Sequence, residues 1–87
     1  MAKVILRQEA INDLSAIWDY TLYNWSENQA DIYYSTVNFA CKEIGKNPNI
    51  GKQYDGISAG LFGFKSGKHI LFYHQIAEDE IEIIRIL

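Results

Sequence analysis

Cysteine and proline are almost missing from this chain: each occurs once in 87 residues, as Cys41 and Pro48. A single cysteine forms no internal disulfide, so the fold is expected to rest on its core alone, in a reducing compartment. Long hydrophobic runs are absent too. No window approaches the apolar length that spans a bilayer. The opening stretch Met1-Ala2-Lys3-Val4-Ile5-Leu6-Arg7 has too short an apolar run for a signal peptide, and a cytoplasmic protein with no membrane partner is expected. Positive charge is also scarce, with 8 basic against 11 acidic residues and a net charge of −3. That balance argues against an affinity built on many phosphate contacts or on sequence-specific nucleic-acid binding. No metal-ligand set is spelled out, because His69 and His74 lie five residues apart on a strand and so face opposite ways. Cys41, beside Ala40 on the apolar side of a helix, reads as a small hydrophobe and not as a nucleophile. The glycines at 56, 60, 63 and 67 follow strand and turn needs, and no phosphate-cradling loop is present. Neither a cofactor nor a catalytic residue is therefore expected.

What remains is enough for one domain around one core. Ala2 to Arg7 is apolar and β-branched, a first strand. The period then changes: Ile11, Leu14, Trp18, Leu22 and Trp25 recur at three and four residues, predicting a helix from about Gln8 to Asn24 with that stripe inward. Ser26 precedes Gln29 by three residues, a capping-box pattern that starts a second helix. Its stripe is Ala30, Tyr33/Tyr34, Val37, Ala40/Cys41 and Ile44, and Gly45 with Asn47-Pro48 ends it. So short a link makes the two helices an antiparallel hairpin. Pro48 to Ala59 has no periodicity and reads as an irregular connection. Three strands follow, at about Leu61–Lys65, Lys68–Ile76 and Glu80–Leu87, with turns at Ser66-Gly67 and Ala77-Glu78-Asp79. The expected fold class is α+β, in the order β-α-α-β-β-β, with the helical hairpin on one face of a mainly antiparallel four-stranded sheet.

Strand alternation places Ile70, Phe72 and Ile76 on one face and Leu71 and Tyr73 on the other; Ile81 and Ile83 likewise oppose Ile84 and Ile86. Two helices cover one face only. The other is to be covered by the chain's own loop, a second copy or a partner. Two groups of side chains suggest contacts beyond the fold. Lys65, Lys68, His69, Tyr73 and Arg85 gather around the strand ends, where cations with a histidine and a tyrosine would suit a metal-free ribonuclease or simply a solvated hairpin. Tyr20, Tyr23 and one of the Tyr33/Tyr34 pair fall off the helical stripes, which suits either plain exposure or a partner helix laid along the hairpin.

The run Asp13-Leu14, Ile17-Trp18-Asp19-Tyr20-Thr21, Trp25-Ser26, Gln29-Ala30 and Tyr33 resembles the first half of the ParE-type toxins of the RelE/ParE superfamily. Asn47-Pro48, Ile50-Gly51, Gly60-Leu61, Gly67-Lys68-His69, Ile70, Phe72-Tyr73 and the closing Ile81 to Leu87 continue the likeness in order and spacing. The resemblance implies the toxin of a type II toxin–antitoxin, or plasmid stabilisation, system. It would trap DNA gyrase on cleaved DNA, without chemistry of its own, and form a hetero-oligomer with a ParD-like antitoxin whose C-terminal segment wraps it. On that reading Lys65, Lys68, His69, Tyr73 and Arg85 are target-binding candidates. Tyr20, Tyr23, Tyr34, Leu71, Ile84 and Ile86 are the antitoxin-binding candidates. The superfamily's other branch, RelE-like ribosome-dependent messenger-RNA endoribonucleases, is the alternative, and a non-toxic remnant that only binds antitoxin is a third. Two departures bear on toxicity more than on fold. Phe62 stands where these toxins commonly carry arginine, and the usual His and Met-Asp tail is not found beyond Leu87.

Overall fold

A computed structural model describes all residues from Met1 to Leu87. Its elements are β1 (Lys3–Leu6), α1 (Gln8–Asn24), α2 (Glu27–Lys46), β2 (Lys52–Gln53), β3 (Phe62–Ser66), β4 (His69–Ala77) and β5 (Glu80–Ile86). The sheet order is β1-β5-β4-β3-β2, with β1 parallel to β5 and the other pairs antiparallel. The α+β architecture is thus as the sequence indicates. One short edge strand is added: β2, in the connection that has no periodicity, pairs Lys52 with Gly63 and Gln53 with Phe62.

Local signals placed the helices well. Ser26 Oγ accepts a hydrogen bond from the Gln29 amide at 3.0 Å, giving one unpaired donor of the first turn of α2 a partner. The inward face of α2 is Ala30, Val37, Ala40 and Ile44, all buried. Helix α1 departs from its stripe. Ala10 is its one fully buried side chain, and Leu14 and Ile17 pack beside it, while Ile11, Leu22 and Trp25 are exposed, Trp25 by 72%. The small Ala10 lets α1 approach the sheet closely, and that approach selects the 10-14-17 face over the bulkier 11-18-25 face. Trp18 is only half-buried, edge-on to Tyr34 with ring centroids 6.3 Å apart.

The hairpin turns are two residues each. Between β3 and β4 it is Gly67-Lys68, one residue later than the sequence suggests. Gly67 has φ +60, the positive value that the first central position of a type II′ turn needs and glycine supplies without strain.

A bulge resets the faces of β5. Tyr73 pairs with Ile83 but Phe72 pairs with Arg85, so Ile84 is an extra residue in the ladder. Ile81, Ile83 and Ile86 consequently share the core face, all essentially inaccessible, and Ile84 turns to the opposite face. Strict alternation, which groups Ile84 with Ile86, is corrected here.

The second sheet face is partly covered by the chain's own 48–60 connection. Tyr54 packs edge-on against Phe72 with ring centroids 5.3 Å apart. A Cβ on Gly63 would lie 2.7 Å from the Tyr54 ring and 2.9 Å from Ile70, so glycine is what lets this aromatic lie down on β3. The carbonyl of Gly60 lies 3.2 Å from His74 Nδ1, which ties the end of the loop to the same face.

Candidate functional site

The charged and aromatic side chains that sequence reasoning grouped are separated by the fold. Tyr73 is buried, stacked on Phe62, with its hydroxyl donating to the Pro48 carbonyl at 2.8 Å and accepting from the Gly51 amide at 3.0 Å. Burial raises its pKa, partly offset by the Gly51 hydrogen bond. Its role is to hold the loop after α2, not to meet a target. Tyr73→Phe is expected to cost about 1–2 kcal/mol in urea unfolding, because it strands two part-buried backbone groups. An unchanged midpoint would show that water replaces the hydroxyl.

Arg85 is likewise committed. Its Nε and Nη2 donate to Asp13 Oδ2 and Oδ1 at 2.7 and 2.9 Å, and the Ile86 amide donates to Asp13 Oδ2 at 3.0 Å. Strand β1 has already ended at this level, since its last pair is Leu6 with Ile83. The carboxylate of α1 therefore serves the β5 edge where a strand no longer does. The Arg85 hydrogen bond, reinforced by Ile86, holds the Asp13 carboxyl below the usual range against some desolvation. Lys65 and Lys68 remain exposed and His69 half-buried, at or beside the β3–β4 turn.

The antitoxin-binding candidates divide in the same way. Leu71 and Ile86 are 0% and 1% exposed in the core, so neither is a docking residue. Ile84 is half-buried on the loop-covered face. Tyr20, Tyr23 and Tyr34 are exposed, by 65%, 92% and 52%.

Two grooves flank the helical hairpin. The first runs between the hairpin and β1, as two adjoining hollows of about 310 and 810 Å³ that share Leu6, Leu14 and Tyr34. Trp18 and Ile11 line one lobe; Val4, Val37 and Cys41 line the other. Burial pushes the Cys41 thiol up to about 11, so it stays protonated and contributes only apolar surface. The second groove, of about 690 Å³, opens between the hairpin and the β3–β4 turn, with Tyr20, Trp25, Tyr33, Lys68 and His69 in its walls. The rings of Tyr33 and His69 meet edge to face at 5.1 Å. The Tyr33 hydroxyl, pushed up to about 12 by burial, is a standing proton donor.

Sequence reasoning missed both grooves. The stripe Ile11-Leu14-Trp18 that was read as core forms a wall of the first, and Trp25 borders the second. The stripe's own excess was a signal: with Tyr34 it gives the hairpin more apolar surface than one sheet face can absorb. No three His, Cys, Asp or Glu side chains come together at metal-ligand distances. No helix is long and apolar enough to cross a membrane.

Known proteins agree with this architecture. The chain is similar over residues 4–87 to the family model described as the ParE toxin of the type II toxin–antitoxin system parDE. It is 33% identical over 86 residues to Toxin ParE1 of Mycobacterium tuberculosis, covering 99% of this chain and 88% of that protein. With Toxin ParE1 of Caulobacter vibrioides the identity is 32% over 82 residues, covering 94% and 83%. A solved chain of the chromosomal ParDE system from P. aeruginosa shares the fold at TM-score 0.81 and 19% identity, over 99% of this chain and 94% of that one. Matched by the family model over almost its whole length, and by relatives above 30% identity, the chain belongs to the ParE toxins of type II toxin–antitoxin systems.

Proposed function

We propose that this ParE toxin poisons DNA gyrase in the cytoplasm and is held in check by a ParD-like antitoxin seated along the hairpin–β1 groove. The observation that carries the antitoxin's position is the uncovered apolar groove itself. Leu6, Leu14 and Trp18, all half-buried, and exposed Tyr34 line this open groove. Such a groove matches an amphipathic segment that folds as it binds. Exposed Tyr34 and half-buried Trp18 in its wall are of the residue types that dominate protein–protein hot spots. The gyrase target rests on family membership. Lys65 and Lys68, uncommitted and exposed at the β3–β4 end, are its contact candidates on this chain.

Nothing in the geometry favours the endoribonuclease reading. Of the groups such a site would draw on, Tyr73 is held by Pro48 and Gly51, and Arg85 by Asp13. The test is incubation of the purified chain with DNA gyrase and supercoiled plasmid, followed by protein denaturation. Linear DNA is expected, and its suppression by equimolar antitoxin. Plasmid that stays supercoiled would remove gyrase as the target, and a non-toxic, antitoxin-binding chain would then be the surviving reading.

A further inference from the structure

Helix α2 turns one face away from both α1 and the sheet. Its inward stripe is Ala30, Val37, Ala40 and Ile44. At 3.6 residues per turn the opposite stripe runs through Asn28, Ile32, Ser35 and Phe39, all exposed. Ile32 and Phe39 are 50% and 62% exposed, and with Asp31, Ser35 and Thr36 they line one shallow hollow of about 450 Å³. A large apolar side chain thus stands one turn from two small ones. Charge is divided along the same helix. Toward its N-terminus, Asp31 shares a hollow with Asp19 of α1, and no basic side chain lines it. Toward its C-terminus, Lys42 is exposed. None of these three groups has an ion-pair partner within the chain. Asp31 and Lys42 lie about three turns apart, hence on the same flank of the helix.

We propose that this face of α2 is the seam of a homodimer, packed antiparallel against α2 of a second copy about a two-fold axis level with Thr36 and Val37. Such an axis keeps each flank of the helix beside the same flank of its mate. Asp31 therefore comes opposite the partner subunit's Lys42, and Lys42 opposite the partner subunit's Asp31. Phe39 falls between the partner subunit's Ile32 and the partner subunit's Ser35, where the small side chain leaves room for the ring. A two-fold interface needs one patch to carry each group together with its complement. This patch carries both signs of charge, and both the bulk and the space for it, which favours a second copy over an unrelated helix. Antiparallel alignment also sets the positive end of each helix dipole beside the negative end of the other. A helix of 20 residues is about 30 Å long, so the seam reaches only the low end of specific interfaces, about 1,200 Å² in total. The dimer is accordingly weak and reversible, with a Kd on the order of 10 µM. Asp31 and Lys42 also border the hollows of the first groove, so the seam is tested on the chain without antitoxin.

Sedimentation equilibrium of the full chain, from about 1 µM to about 300 µM, should show a monomer–dimer equilibrium. Phe39→Ala should weaken it about tenfold or more, because the ring is lost from two slots at once. Lys42→Glu and Asp31→Lys should each weaken it about fivefold, since each sets like charges against one another twice. The double variant Asp31→Lys/Lys42→Glu exchanges the signs and should return to within about twofold of wild type. The substituted side chains are exposed, so melting temperatures measured at dilutions where the chain is monomeric should match wild type. Should Phe39→Ala fail to fold, the charge exchange alone decides. A chain that stays monomeric throughout would overturn the proposal. So would a dimer that a folded Phe39→Ala leaves intact, or one that the double variant fails to restore. A monomeric chain whose antitoxin binding is weakened by Phe39→Ala would overturn it too, and would assign this face to the antitoxin.

Discussion

Replacing Ile83 by alanine is expected to lower the unfolding free energy by about 3–4 kcal/mol, the middle of the range for buried aliphatic truncations. Ile83 is fully buried on β5, paired with Leu6 of β1 on one side and Tyr73 of β4 on the other. Its side chain belongs to the same cluster as Ala10, Ile44, Leu71 and Ile81. Because strands are hydrogen-bonded along both edges of β5, the backbone cannot close in on the space left behind. The cavity term therefore adds nearly in full to the lost transfer energy. Small domains have only about 5–15 kcal/mol of total stability, so the variant should show a much lower urea midpoint and a substantial unfolded fraction on warming. The neighbouring substitution Ile84→Ala separates this account from a general sensitivity of the strand. Ile84 is the bulged residue on the opposite, loop-covered face, and its truncation should cost only about 1 kcal/mol, the ordinary value for point mutants away from a packed core. Equal losses at the two positions would contradict the placement of the bulge.

The second large effect is at Asp13. Asp13→Asn should cost about 2 kcal/mol at neutral pH, because one carboxylate serves both the Arg85 guanidinium and the Ile86 amide. The Arg85 side chain is 45% exposed, so the ion pair itself is screened and contributes the smaller share. The larger share comes from strain on the bond to the Ile86 N–H at the strand edge, which has no strand partner there, and from placing an amide N–H₂ against an Arg85 N–H. Arg85→Ala should accordingly cost less than Asp13→Asn. The same site sets a pH dependence. The folded carboxyl titrates below its unfolded value, so its contribution is complete above about pH 4, the ordinary aspartate range. As pH falls through the lower folded value, protonation removes it. Thermal melts from pH 7 down to 2 should show wild type and Asp13→Asn converging at the acid end. A constant gap between the two curves would mean that the carboxylate charge is not what stabilises the β5 edge.

Much of the fold was legible because its signals are local. Ser26 and Gln29 lie in one turn, and the stripe from Ala30 to Ile44 repeats at the helical period. Gly67 stands where a two-residue turn needs a positive φ. Each of these is decided by residues a few positions apart, so order, element type and the α2 core face follow from the sequence. Resemblance across most of the chain carried the family as well. The candidate site was legible only in part. Tyr20 and Tyr34 are exposed as expected, whereas Leu71, Tyr73 and Ile86 became core. For Leu71 and Tyr73, alternation gave the correct face, but a two-faced apolar strand does not announce which face the helices take.

By itself, then, the sequence determined a β-α-α-β-β-β chain with more apolar surface than one helix-covered sheet face absorbs. Tertiary structure alone decided how that surplus is distributed. Close approach at Ala10 turned Ile11 and Trp18 of α1 toward a groove. A bulge at Ile84 returned Ile86 to the core. Asp13 and Arg85, 72 residues apart, met at a strand edge that β1 does not reach. Tyr54 lay over Gly63 to cover the second face. Tyr33 and His69, from a helix and a hairpin, came together without partners. Each outcome depends on cross-strand register or on the distance between packed elements, and periodicity along one segment holds no record of either.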